Sequence, residues 1–542
     1  MLRVLKIQCF LCVFFIFQIS ASGSVFASGK ITAVADEIRH EAALSNNSES
    51  GFPLPLAAHW NTGSRMGGFS PVYQMLMIEQ GHYLLPWFSL PSPWSTESVS
   101  NNGYYEKAIK KAAELRLPIS FISTQWESPL TDSMKYFFLP GPENPNFVDT
   151  KGVIHKKVSP FGPEPLWREV GEKWTTSEIV RKFQEWYPDP PLVLFVSNNE
   201  HGKLVWHEVE NSSKYMAKYG SGRDDNFKRK VVGDEWVKRY RELQGGMRAG
   251  LIAPGWSEHS KFIGYEAFGT RAFGRWTDWL QYSLFSPGRI EPWPLAWDGA
   301  SLSYYVDNWS PVTDHTVMSP QIEAMNWVFM RDEAWHLNKD FWVEMSTWDG
   351  HLPGTADDKR EYYRKNGTKF SPERYEGYVQ FGMWLLRPRI VREFRDHLSK
   401  VTKDEPYFMS VVNSVDRVHD NPVLRKFWRK GSLVENKNNL HPYQINIPNE
   451  YKTVGRWFLL DTDLDPKRPW DLNTNIPVYS LALVLGDKPN REWLLYAQSP
   501  LKNFNNVKIT ITDYAPVNIT VSPHGVFYYV KEKNSVVTKL AD

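Results

Sequence analysis

Eight short apolar runs, each followed by a longer stretch of helical period, limit what this chain can fold into. Between Phe52 and Val415 they are Leu54–Trp60, Tyr83–Leu90, Pro118–Thr124, Leu192–Ser197, Lys261–Glu266, Pro294–Asp298, Asp340–Met345 and Tyr407–Val412. Several are rich in Val, Ile and Phe and do not alternate with polar residues, which is the pattern of parallel strands covered on both faces. The segments between them carry helix-start signals. Thr175-Thr176-Ser177-Glu178 fits a capping box before Ile179, and Ser319-Pro320 and Ser371-Pro372 each put an N-cap ahead of a proline at the first helical position. From Tyr375 the apolar positions recur at three and four residues, as in an amphipathic helix, and Pro388 should kink or restart it.

Strands and helices in this alternation predict a (β/α)8 barrel with long loops. An open doubly wound sheet is the alternative, weakened because no G-x-G-x-x-G or Walker-type loop follows an early strand. The tail differs in texture. Trp457–Leu460, Val478–Leu485, Trp493–Ala497, Val507–Thr512, Val517–Val521 and Val526–Val530 are separated by turn residues, with no helical stretches between them. That predicts an all-β sandwich over 431–542, after a barrel region over 28–430. Ser432 to Tyr451, polar and Asn-rich, reads as the connection.

The first 27 residues read as a cleavable signal peptide: Arg3 and Lys6, an apolar run from Ile7 to Ile19, and small residues around Val25-Phe26-Ala27. The run is short for a span, so no membrane segment is expected in the mature chain and the location is periplasmic or secreted. Both cysteines, Cys9 and Cys12, fall in this leader, which leaves no disulfide, thiol nucleophile or Cys-ligated metal. Across the chain 63 basic residues stand against 61 acidic ones. Arg3 and Lys6 belong to the leader, so the remainder balances and no global attraction for nucleic acid is expected. His201, His207 and His315 are scattered, so neither a metal nor another cofactor is expected. No G-x-S-x-G elbow suggests a serine hydrolase.

In a barrel the chemistry gathers at the C-terminal ends of the strands. Past the fourth run comes Ser197-Asn198-Asn199-Glu200-His201, and the seventh run contains Glu344. Two carboxylates across a barrel mouth are what glycosidic cleavage needs: one protonates the leaving oxygen, the other attacks the anomeric carbon or activates water. If the strand count is off by one, Glu266 or Asp298 competes for the second role. Salt-bridged structural carboxylates are the plainer explanation of such glutamates.

Asn199-Glu200 after the fourth strand, with Glu344 on the seventh, resembles the pattern of clan A glycoside hydrolases, retaining enzymes on a TIM barrel. The resemblance covers roughly residues 50–415. It implies Glu200 as acid/base, Glu344 as nucleophile, and Asn199 as a hydrogen-bond partner of a sugar 2-hydroxyl. Aromatic residues make up 15% of the chain, including 24 Trp, which suits stacking on the C–H faces of sugar rings. Candidate platforms are Trp60, Trp87, Trp126, Trp256, Trp297 and Trp348, and His59-Trp60-Asn61 resembles a polar-aromatic subsite floor. The general plan of barrel, aromatic loops and accessory β-domain is also similar to marine agarases and carrageenases. Arg65, Lys261, Arg271 and Arg275 would then meet anionic sugar substituents, or are solvated surface charge. The partner expected is a polysaccharide or oligosaccharide. A carbohydrate-binding barrel without catalysis is the rival reading. A lyase is another, and it would use Tyr265, Tyr304 or Tyr305 at the cleft.

Overall fold

The computed structural model describes residues 30–40, 51–60, 71–90, 92–94, 103–123, 126–197, 203–265, 296–305, 340–346, 372–394, 401–436, 459–465 and 476–541. Its centre is a nine-stranded sheet in which every neighbouring pair is parallel. The strands are β1 Leu56–Trp60, β2 Leu84–Leu85, β3 Trp87–Ser89, β4 Ile119–Ser123, β7 Val193–Ser197, β8 Ser260–Tyr265, β9 Gly299–Tyr305, β10 Asp340–Ser346 and β11 Ile390–Phe394. A hairpin, β5 Asn146–Val148 and β6 Ile154–Val158, is inserted between β4 and β7. The order across the large sheet is β2-β1-β11-β10-β9-β8-β7-β4-β3. Its two edge strands are separated in sequence by Pro86 alone: Leu84 and Leu85 pair with Ala57 and Ala58, while Trp87–Ser89 pair with Ser120–Ile122. Pro86 has no N–H to give to either ladder, but its carbonyl accepts from Ser120 N at 3.0 Å.

All five residues of β4 and of β7 are buried, as non-alternating apolar strands should be. Phe121, Phe195 and Phe262 are register partners on adjacent strands and stack at 5.6 and 5.3 Å. Phe183 and Trp256, from the helices Glu178–Trp186 and Pro254–His259, cover that row.

Two of the eight expected strands are corrected. The sixth begins at Gly299, just after the run Pro294–Asp298, because Gly-Ala-Ser-Leu-Ser-Tyr-Tyr is weakly apolar and takes its place from its neighbours β8 and β10. Tyr407–Val412 lies in the helix Val401–Asp420, where Phe408, Val411, Val412, Val415 and Val418 are buried at helical spacing. The eighth strand is Ile390–Phe394, masked in sequence by Arg392 and Glu393 at its centre. The helix before it, Pro372–Leu386, ends two residues ahead of Pro388, and Arg387 turns the chain at φ 48°. The capping box is not made either. Ser177 is the N-cap, but its hydroxyl donates to Trp174 O, and the preceding helix runs to Thr176.

The tail forms β12 Ser432–Leu433, β13 Tyr479–Leu485, β14 Glu492–Gln498, β15 Phe504–Thr510, β16 Pro516–Val521, β17 Val526–Lys531 and β18 Val536–Lys539. Five of them make one antiparallel sheet, in the order β12-β13-β14-β17-β18, and β15-β16 make a second. Ala482, Trp493, Leu495 and Val530 share a core with Val507, Ile509, Ile519 and Val521 of the second sheet. The opposite face of the larger sheet packs on the helix Pro372–Leu386: Phe381 meets Tyr479 at 5.5 Å, and Trp384 meets Phe527 at 5.0 Å. Buried on both sides, this helix has no polar stripe from Gly377 to Leu386. Gly377 is required at the contact, since a Cβ there would fall 2.1 Å from Pro523 O. Residues 457 and 458 of the first expected tail strand lie outside the described residues.

Candidate functional site

Glu344 on β10 and Arg392 on β11 are register partners in neighbouring strands, so the sheet itself brings their side chains together. Arg392 Nη2 donates to Glu344 Oε2, with 1% and 0% of the two side chains exposed. The Arg392 guanidinium also lies 5.6 Å from the Trp87 ring on β3. Val343 and Met345, on either side of Glu344 in sequence, belong to the apolar core. A carboxylate at this depth is tolerable only with a counter-ion, and the planar guanidinium supplies one with directed N–H donors.

The other expected site residues are placed unequally. Asn199, Glu200, Asn61, Trp348 and Glu266 lie outside the described residues, as do Arg65, Arg271, Arg275, His201 and His315; β7 ends at Ser197, two positions before Asn199. His59 and Trp60 are the last two residues of β1, with Glu393 and Phe394 as register partners. Tyr265, Tyr304 and Tyr305 lie on β8 and β9, and their side chains are outside the described set.

Trp126 and Trp297 are corrected as stacking platforms. Each is at most 1% exposed, so neither offers an open ring face. Trp126 is wedged edge-on between Trp174 and Phe195, and Trp297 sits 4.6 Å from Tyr240. Trp256 is likewise buried, its indole N–H donating to Tyr187 O at 2.6 Å. Asp298 precedes β9, where its Oδ2 accepts from Phe262 N and Arg248 Nη2, both at 2.9 Å, which takes it away from the strand ends where it would compete with Glu344.

Two groups escaped the sequence reading. Arg392 was hidden because a charged residue breaks an apolar run. The second group is built from three distant segments: Glu127, four residues past β4; Lys203, six past β7; and Tyr240, on the helix Asp225–Ala249. Lys203 Nζ lies 2.7 Å from Glu127 Oε1, and neither side chain has any exposed surface. Tyr240 Oη donates to the same oxygen at 3.3 Å, and the ammonium is 5.6 Å from the Tyr240 ring. Burial lowers the Lys203 ammonium's pKa, and the Glu127 carboxylate opposes that shift; burial also pushes the Tyr240 phenol well above its ordinary value. Among the described residues no group of three His, Asp or Glu is arranged to hold a metal.

No family model and no curated protein matches this chain. Solved structures similar to it include a modular endo-β-1,4-mannanase from Cellulomonas fimi (11% identity, 91% of this chain and 97% of that one, TM-score 0.36). The catalytic domain of a β-amylase from Paenibacillus polymyxa is similar at 9% identity over 68% of this chain and 99% of that one, with TM-score 0.40. An α-L-fucosidase isoenzyme from Paenibacillus thiaminolyticus is similar at 11% identity over 71% and 51%, with TM-score 0.35. Likenesses this distant carry no weight for fold or chemistry.

Proposed function

We propose that this chain is an exported retaining glycoside hydrolase, with Glu344 as nucleophile and Glu200 as acid/base. The observation that carries the reading is the placement of Glu344. It is an acidic side chain inside a parallel strand, held by Arg392, with the Asn199-Glu200 pair following the end of another strand of the same sheet. Because β2 and β3 are one residue apart and occupy opposite edges, the sheet is read as closed on itself. Counting β2 and β3 as one bent strand then makes β7 the fourth and β10 the seventh of a (β/α)8 barrel over 28–430. The tail, 431–542, is read as an accessory β-sandwich, and Met1–Ala27 as the leader that supports export.

Glu344 attacks the anomeric carbon while Glu200 protonates the departing oxygen, leaving a glycosyl-enzyme. Glu200 then takes a proton from water, which releases the sugar with its configuration retained. The nucleophile must be ionised, and Arg392 is the counter-ion for that form. Retention requires the two carboxyl groups to stand ~5–5.5 Å apart, and inversion a gap of ~6.5–9.5 Å.

A second reading follows from the zero exposure of Glu344: a carbohydrate-binding barrel in which Glu344–Arg392 is only structural. The deciding experiment is reducing-end release on agar, carrageenans, β-glucan, mannan and xylan, with Glu344→Gln run beside the parent protein. Release on one polysaccharide, reduced about 10³-fold or more in the variant, supports the nucleophile. Full activity in Glu344→Gln excludes it, and binding without release anywhere favours the second reading.

A further inference from the structure

We propose that a cavity between the helix of residues 30–40 and the helix Pro422–Lys430 binds a small organic monocarboxylate with an apolar body. Its volume is about 510 Å³, within the range of small-molecule sites. Ala33, Val34, Leu54 and Pro422 give it apolar walls, and the rings of Tyr83 and His419 stack on each other at its side. Leu54 and Tyr83 come just before β1 and β2, so the cavity lies at the N-terminal side of the parallel sheet. Ala58, the β1 position level with Arg392 and Glu344, is four residues beyond Leu54. The cavity is therefore separate from that pair.

Among the described residues four cations line the cavity, and three of them are answered. Lys30 pairs with Asp420 at 2.7 Å, Lys426 with Glu492, and Arg429 with Glu37. Asp416, also close by, accepts from the Tyr83 N–H and is bonded to His82. Arg425 is exposed, and its guanidinium makes no ion pair or hydrogen bond with the described residues. One positive charge at the cavity thus has no counter-charge, which suits a monoanion. The planar guanidinium matches a carboxylate with two parallel N–H donors. Tyr83 supplies a second, independent observation. It is only 5% exposed, yet its hydroxyl has no hydrogen-bond partner among the described residues. Burial pushes the phenol pKa up to about 12, with Asp420 and Asp416 adding to the shift and Arg425 opposing it. At neutral pH the hydroxyl is a donor, and a buried donor left unmade is costly. A carboxylate held by Arg425 would accept from it.

The test is calorimetric titration of the full chain at neutral pH and low salt. Benzoate is the probe. Benzyl alcohol, which lacks the charge, and galacturonate, which carries the charge on a polar body, are run beside it. Benzoate should bind with a Kd of about 1 mM or tighter, and each of the other two about tenfold more weakly. Arg425→Gln, a change at an exposed side chain, should keep the parent's thermal midpoint and weaken benzoate about tenfold or more. Tyr83→Phe should weaken it about twofold to tenfold. Arg181→Gln, which removes an exposed cation from the helix Glu178–Trp186, should leave the Kd unchanged. No saturation by ~10 mM benzoate, equal binding of benzyl alcohol, or tighter binding of galacturonate overturns the proposal. So does an unchanged Kd in Arg425→Gln or in Tyr83→Phe. An equal loss in Arg181→Gln overturns it as well, because the attraction would then be that of a general surface field.

Discussion

The two ends of the parallel sheet treat charge differently. Glu344–Arg392, within β10 and β11, and Glu127–Lys203, past the C-terminal ends of β4 and β7, are sealed from water. At the N-terminal end, the helix of residues 30–40 lies across the strand starts, with Ile31, Val34 and Ile38 in the core and Ala35 buried beside them. Its charges bridge outward: Lys30 to Asp420, Asp36 to Arg116, and Arg39 to Asp189, all partly or largely exposed. Exposed pairs contribute roughly 0–1 kcal/mol, whereas a buried charge stripped of its partner costs about 3–5 kcal/mol. The ion pairs of the N-terminal helix are therefore cheap to lose, and the sealed pairs are costly to break. The costly end is the one to search for chemistry.

Breaking a sealed pair should give the largest effect. Arg392→Met leaves the Glu344 carboxylate buried without its counter-ion and should cost about 3–5 kcal/mol in denaturant unfolding. A loss under about 1 kcal/mol would mean that water reaches Glu344 and that the contrast between the ends is false.

The next effect, at the N-terminal end, depends on pH. His419 is buried, stacked on Tyr83 at 3.6 Å, and as a neutral ring donates Nε2–H to Pro55 O at 2.5 Å. Burial lowers its pKa to about 4. The folded chain thus disfavours the protonated ring, and stability is lost as pH falls from the ordinary histidine value of about 6.5 toward 4, by roughly 3 kcal/mol in all. His82 has the opposite sign. Its hydrogen bond to Asp416 raises its pKa, so its contribution is complete below about 6.5 and fades as pH rises through the elevated value. Unfolding midpoints at pH 7 and 4.5 for the parent and His419→Gln would check this: the parent should lose more than the variant. Equal losses would assign the acid sensitivity to other groups.

The smallest effect expected is at the exposed pair. Lys30→Ala should shift stability by no more than about 0.5 kcal/mol, and less in high salt. A loss of several kcal/mol would show that the N-terminal helix is held by charge and not by its apolar face.

In the tail the sequence was enough for most strands. β16 reads exposed-buried in strict alternation and β15 nearly so, while β13, β14 and β17, largely buried apolar strands, also fall within a few residues of their expected limits. β18 was missed because all four of its residues are exposed and show no apolar pattern. Within the parallel sheet the fully buried strands β4 and β7 were legible, but β9 and β11 were not. Their membership is conferred by parallel neighbours on both sides, and β11 carries Arg392 and Glu393 through its centre. Of the proposed site, Glu344 was visible as an acid in an apolar run, whereas Arg392 became its partner only through strand register.

By itself the sequence determined the alternation of strand and helix, the change of texture at the tail, and the positions of the acidic residues after the strands. These are local properties, set by side-chain periodicity within a few residues. Only the tertiary structure decided that Trp126, Trp256 and Trp297 are core, that the helix Pro372–Leu386 has two apolar neighbours, and that Glu344 and Glu127 have Arg392 and Lys203 as counter-ions. Burial and ion pairing depend on which distant segments meet. The 47 residues between Glu344 and Arg392, and the 75 between Glu127 and Lys203, carry no periodic signal that would report those contacts.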